Sequence, residues 1–225
     1  MNKIYNNFNI KNSIKSKSDW FNQFNKDQQE IILKGIEYNV DVSWYAKKEF
    51  NWEQMLEISF GLEKDLNVSI YAKPYFNSWQ MGQIRSGLED NLDVSLYAKP
   101  EFEEYQMNQI RWGLSDNLNA SIYAKTDFNS AQMAEIRLGL KDNLDVSIYA
   151  KKEFTWEQME QIRLGLEEDL NVSIYANLDF GYQQMEEIRL GLKNNLDVSI
   201  YANPEIPWQK MKEIRLELLK KSTPK

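Results

Sequence analysis

The chain is 225 residues long with a formal net charge of −7; hydrophobic residues make up 42% and charged residues 27%. It has no cysteine and no histidine, which excludes a disulfide framework, a thiolate nucleophile, a zinc ribbon, an imidazole base and a histidine metal ligand. No apolar run approaches the ~18–20 residues that span a bilayer, and the opening MNKIYNNFNIKNS lacks the apolar stretch of a signal peptide, so a cytoplasmic protein without membrane contact is expected.

Residues 1–18 contain Lys3, Lys11, Lys15 and Lys17 and no acid. Their scattered apolar residues (Ile4, Phe8, Ile10, Ile14) suit a cap over the open face of a repeat array, and their charge suits a basic tail. Residues 1–23 are therefore read as a basic N-terminal segment or cap.

From residue 24 onward the sequence repeats. Tyr45, Tyr71, Tyr97, Tyr123, Tyr149, Tyr175 and Tyr201 recur every 26 residues, each followed by Ala. Phe24, Phe50, Phe76, Phe102, Phe128, Phe154 and Phe180 mark the start of successive copies, with Ile206 last. The consensus is F-N-W-E-Q-M-E-Q-I-R-L-G-L-E-D-N-L-D-V-S-I-Y-A-K-P-E. No insertion breaks residues 24–206, so no domain boundary is expected inside the array.

The copy from Phe76 shows the local signals. Asn77 is an N-cap, Gln80 completes a capping box, and Phe76 with Met81 has the spacing of a hydrophobic staple. Met81, Ile84 and Leu88 form one apolar helical face. Asn91 and its equivalents Asn39, Asp65, Asn117, Asn143, Asp169 and Asn195 suit a left-handed residue after the helix. Asp93 then caps a second, short segment, Val94 to Ala98, which Pro100 follows. A strand reading of DVSIYA is open because Val, Ile and Tyr favour strands; the cap before it and the proline after it favour a helix. Each unit thus reads as a helix of about 14 residues and a short one of about 6.

Such hairpins bury their apolar faces only by stacking. The expected fold is all-α: a right-handed-type α-solenoid of about eight short helix-turn-helix repeats. Residues 207–225 are the expected C-terminal capping helix and tail, with Lys220 and Lys221 suiting a helix C-terminus. With +4 in residues 1–18 and +3 in residues 219–225, the body from 19 to 218 carries −14.

Seven glycines in register (Gly35, Gly61, Gly87, Gly113, Gly139, Gly165, Gly191) fall inside the longer helix, where each costs about 1 kcal/mol relative to Ala. Close helix crossing is the expected reason, with a backbone approach to a ligand as the alternative. Glu217 in the last copy has no following repeat to meet.

Three rows are candidates for function. All six arginines share one repeat position: Arg85, Arg111, Arg137, Arg163, Arg189 and Arg215. They suit either a ladder of bridges between repeats or a guanidinium row facing an acidic protein or phosphates. The tyrosines read as core whose hydroxyls find partners at its edge. Lys73, Lys99, Lys125 and Lys151 read as solvated. Variable aromatics, namely Trp52, Trp79, Tyr105, Trp112, Trp156, Tyr182 and Trp208, are expected at the surface, where Trp and Tyr dominate binding hot spots. Trp79, Trp112 and Trp156, with the six arginines, are the candidate partner-binding residues. No catalytic, cofactor or metal site is expected, because carboxylates repeat with the scaffold and no phosphate loop, nucleophile elbow or calcium loop is present.

The spaced motif YA-K-P-x-F-x-x-x-Q-M-x-x-I-R-x-G-L-x-x-N-L-D-V-S, covering residues 24–218, resembles a tandem repeat of poorly characterised proteins from Firmicutes and their phages and mobile elements. Ser59, Pro207 and Glu217 depart from the pattern. The stacked array is read as a non-enzymatic scaffold that binds a protein; in the phage or mobile-element setting that the resemblance implies, the expected partner is a host defence nuclease or its sensor, inhibited sterically or by acidic mimicry of nucleic acid. The alternative is a nucleic-acid-binding solenoid using the Arg and Lys rows. The acidic body opposes it, because such binding draws on phosphate neutralisation.

Overall fold

The computed structural model describes residues 19–222; the expectations for residues 1–18 and 223–225 lie outside them. The described residues form nine α-helices and no strand: α1 Asp19–Asn22, α2 Lys26–Glu37, α3 Trp52–Glu63, α4 Ser78–Glu89, α5 Glu104–Ser115, α6 Ser130–Lys141, α7 Trp156–Glu167, α8 Tyr182–Lys193 and α9 Trp208–Ser222. Two compact units divide the chain, Met1–Arg111 and Trp112–Lys225, and the division falls within α5. Each unit is an α-solenoid segment whose successive helices pack in sequence, α2 on α3 and α3 on α4 in the first, α6 through α9 in the second.

The helices of the repeats run 12 residues in α2 through α8 rather than about 14. Their starts are fixed by capping boxes. In α4 the Asn77 side chain accepts from the Gln80 N–H at 2.8 Å, and the Gln80 Oε1 accepts from the Asn77 N–H at 2.9 Å. Thr155 takes the cap in α7. At Gly181, which has no side chain to accept with, only the return bond from its N–H to Gln184 Oε1 remains, at 2.8 Å.

The stops are equally regular. Asn39, Asp65, Asn91, Asn117, Asn143, Asp169 and Asn195 all have φ between 52° and 59°, the left-handed cap that Asn and Asp tolerate. In α6 the Leu144 N–H bonds the Gly139 carbonyl at 2.8 Å and the Asn143 N–H bonds the Leu140 carbonyl at 3.2 Å, a Schellman arrangement that satisfies the final carbonyls.

The short second helix of about six residues is corrected by the structure. It is a three-residue 3-10 turn in each copy, such as Val68–Ile70 and Val146–Ile148. The N–H groups of Tyr149 and Ala150 both bond the Val146 carbonyl, and Tyr149 leaves helical geometry at φ −125°. The turn ends there because the tyrosine ring must fold back under the preceding helix.

That ring also revises the reason for the glycines. A Cβ on Gly61 or Gly87 would stand 1.9 Å from the hydroxyl of Tyr71 or Tyr97, and one on Gly139 would stand 1.9 Å from that of Tyr149. The obstacle is the tyrosine of the same repeat rather than a crossing helix. The hydroxyls donate to the carbonyl four residues before the glycine, from Tyr71 to Glu57, from Tyr97 to Gln83 and from Tyr149 to Glu135, all at 3.2 Å. The rings are fully buried with Met55, Ile58, Met81, Ile84, Met133 and Ile136. Desolvation pushes every one of these phenols up, Tyr201 to about 12, so none ionises near neutral pH.

Repeats are joined by the capping glutamines. While its Oε1 serves its own helix, the Gln54 Nε2 donates to the Phe76 carbonyl at 2.6 Å and the Gln80 Nε2 to that of Phe102 at 2.7 Å. The second unit does the same from Gln132 to Phe154 and from Gln158 to Phe180.

Candidate functional site

The arginine row lies between helices, and its heads are engaged. In the first unit, Arg85 Nε bonds Glu57 at 2.7 Å and its Nη1 meets Glu89, while Arg111 Nε bonds Gln83 at 3.1 Å and its Nη1 lies 3.5 Å from Asp90. In the second unit, Arg163 Nε bonds Glu135 at 2.7 Å and its Nη1 meets Glu167. There, too, Arg189 bonds Gln161 at 3.0 Å and Arg215 bonds Glu187 at 2.7 Å. Arg137 stacks over the Trp112 ring at 5.4 Å and approaches Asp116 at 3.9 Å.

Five of these Nε partners sit 28 residues earlier and are Glu or Gln. Ser59, which replaces the arginine, has Ile31 at that interval, so the cation and its acceptor are lost together. This geometry favours the ladder of the two readings. A buried cation cannot leave its partners without stranding them.

Electrostatics along the ladder are uneven. Burial pushes the Glu135 carboxyl above the ordinary carboxylate range, and the Arg163 guanidinium offsets this only in part. Burial acts upward on Glu89 as well, but Lys64 and Arg85 together hold it below that range.

The variable aromatics are the free surface. Trp79 is 71% exposed and Tyr105 66%. Trp52, Phe60, Trp112, Trp156 and Tyr182 are exposed as well, whereas Trp208 is half-buried. In the first unit they gather. Trp52, Glu53, Leu56 and Glu57 of α3, with Ser78, Trp79, Gly82, Gln83, Arg85 and Ser86 of α4, line an open groove of about 370 Å³. Trp52 and Leu56 also border a neighbouring groove of about 250 Å³, closed on its other side by Asp27, Glu30, Ile31 and Lys34 of α2. In the second unit Trp112 carries the Arg137 guanidinium on its ring, and Trp156 stands at the start of α7.

Gly82 was not singled out by the repeat, being one of two glycines outside the periodic column. A Cβ there would meet nothing nearer than the Glu57 carboxylate at 3.4 Å. No packing demands glycine at this position, yet helix α4 bears its cost of about 1 kcal/mol. The signal was present in the sequence as a departure from Leu56, Ala134 and Glu160 at the equivalent positions. Only the groove shows what the missing side chain leaves open.

Among the described residues no group of His, Cys, Asp or Glu is placed to hold a metal ion, and no helix is long and apolar enough to cross a membrane. No protein-family model, curated protein or solved structure matches the chain.

Proposed function

We propose that this chain is a non-enzymatic helical-repeat scaffold that docks a protein partner through its exposed aromatics, with the arginine row serving the scaffold itself. The observation that supports this most is the first unit's groove, where Trp52 and Trp79 stand exposed over a glycine floor. Large exposed indoles beside a cleft are what a binding hot spot uses, and a helix otherwise fills such positions with polar residues. Inhibition of a host defence enzyme, expected from the resemblance, is one use of such a surface.

The test is a tagged pull-down from a bacterial lysate with and without nuclease, comparing the wild-type chain with Trp79→Ala and Trp112→Leu. Ala131 and Leu138 already stand at the equivalent repeat positions, so both variants keep the fold. A stoichiometric protein that survives nuclease and is lost with either variant supports the scaffold. Nucleic acid recovered equally by all three chains, with the proteins lost after nuclease, overturns it.

A further inference from the structure

The groove of the first unit has a chemistry more specific than apolar. Its walls are the indoles of Trp52 and Trp79 and the Leu56 side chain, and its floor is Gly82. Its charged members fall into two kinds. Glu57 is held by Arg85, and across the neighbouring groove Glu30 is held by Lys34 at 2.8 Å. Glu53 and Asp27, at the lips of the two grooves, have no ion-pair partner among the described residues. Both stand in the first turn of a helix, where the macrodipole favours acids, and both are exposed.

Unpaired carboxylates beside exposed indoles are complementary to one class of side chain, a cation with a flat or slender head. The protein itself shows the preference. Arg85 stacks over Phe60 at 5.6 Å in this unit, and Arg137 over Trp112 at 5.4 Å in the other. Both rings belong to the repeat column beside the arginines, so guanidinium on aromatic is a contact this scaffold makes wherever the two meet.

Resting on the proposed docking role of this surface, we infer that the groove between α3 and α4 is a receptor for an arginine or lysine side chain of a basic partner segment. The indole walls receive the cation by its attraction to the aromatic faces, Glu53 supplies the counter-charge, and Gly82 leaves depth for the aliphatic stem. A basic protein segment is favoured over an apolar helix because the lip is acidic. It is favoured over nucleic acid because phosphates would meet Glu53 and Asp27.

The test uses calorimetric titration of the full chain, at physiological salt, with two acetylated hexapeptides of glycine and alanine. One carries two arginines and the other two leucines. Four chains are compared: wild type, Trp79→Ala, Gly82→Leu and Glu53→Gln. Ala131, Leu56 and Gln183 occupy the equivalent positions in other repeats, and circular dichroism checks that each variant is folded. The arginine peptide is expected to bind the wild type and to lose about 10-fold in affinity with Trp79→Ala, a charge-neutral change, as removal of one cation–aromatic contact implies. Gly82→Leu is expected to lose at least as much, and Glu53→Gln several-fold.

Equal binding of the arginine peptide by all four chains overturns the inference, since attraction to the acidic body alone would then explain it. Tighter binding of the leucine peptide, lost with Trp79→Ala, overturns the cationic class while leaving the docking surface standing. Trp79-dependent self-association in sedimentation overturns it likewise, in favour of a second copy. A pull-down in which Trp79→Ala and Trp112→Leu both retain the partner removes the docking role itself.

Discussion

Gly139→Ala puts helix propensity and packing in direct conflict. On propensity alone the substitution stabilises α6 by about 1 kcal/mol. In the structure its Cβ would stand 1.9 Å from the Tyr149 hydroxyl and 3.0 Å from the Val146 side chain. Tyr149 is fully buried and anchored by its bond to the Glu135 carbonyl at 3.2 Å, so the ring has no free space to enter. Overpacking of this kind costs about 1–3 kcal/mol, and displacing the hydroxyl from its acceptor adds about 1–3 kcal/mol. Less the propensity gain, the net expectation is a loss of about 1–5 kcal/mol, measured by urea denaturation followed by far-ultraviolet circular dichroism.

A double-mutant cycle makes the cause explicit. Tyr149→Phe alone should cost about 1 kcal/mol for the lost hydrogen bond. Combined with Gly139→Ala it should recover most of the loss, because the atom in conflict is gone and the ring carbon behind it lies 3.2 Å from the new Cβ. A coupling of about 1–3 kcal/mol is therefore expected. If Gly139→Ala is as stable as the wild type, or more so, the account of the glycine column is refuted.

Other perturbations address the remaining links. Asn143 sits at φ 57°, so Asn143→Gly should leave stability unchanged or raised while Asn143→Val costs about 1–2 kcal/mol, read by the same denaturation. Gln158→Glu removes the donor that reaches the Phe180 carbonyl at 2.8 Å, with an expected loss of about 2 kcal/mol at neutral pH; the loss should shrink in acid, where the protonated side chain regains an O–H donor. Glu135→Gln should be neutral or stabilising at neutral pH, because burial raises the Glu135 carboxyl and Gln161 already serves Arg189 in the same role. A carboxyl raised in the folded state holds its proton more tightly there than in the unfolded chain, so its contribution is complete in acid and is lost as pH rises through the raised value. The advantage of the Glu135→Gln variant over wild type, followed by thermal unfolding across pH, should therefore disappear in acid.

The sequence spelled out those parts of the fold that depend on neighbours along the chain. Asn77 with Gln80, and Asn91 at the helix end, carry their conformational meaning within a few residues, and both were legible. The second helix was overestimated because Asp93 and Pro100 bracket it correctly but give no sign that the Tyr97 ring turns back. The glycine column was visible as a cost, whereas its cause lies ten residues later, in a tyrosine assigned independently to the core. The arginine ladder was one of two open readings; choosing between them required the Glu57 and Glu135 carboxylates, which only folding brings alongside. At the candidate site the exposed tryptophans stood out as variation between copies. Gly82 did not, because an extra glycine has no meaning until the side chains around it enclose a space.

The glutamine and arginine bonds also make the length of the array adjustable. In the second unit Gln158 reaches 22 residues ahead to Phe180, and Arg163 reaches 28 residues back to Glu135. Excising the 26 residues 155–180 would place Gly181 directly after Phe154, leave the Gln132 and Gln184 bonds untouched, and bring Arg189 to Glu135 in place of Gln161. Every severed connection finds a chemically equivalent end. Gene duplication or deletion in whole cassettes can thus lengthen or shorten the array without new junctions, and differences among its cassettes, such as the tryptophans and Gly82, are free to diverge on a scaffold that does not depend on them.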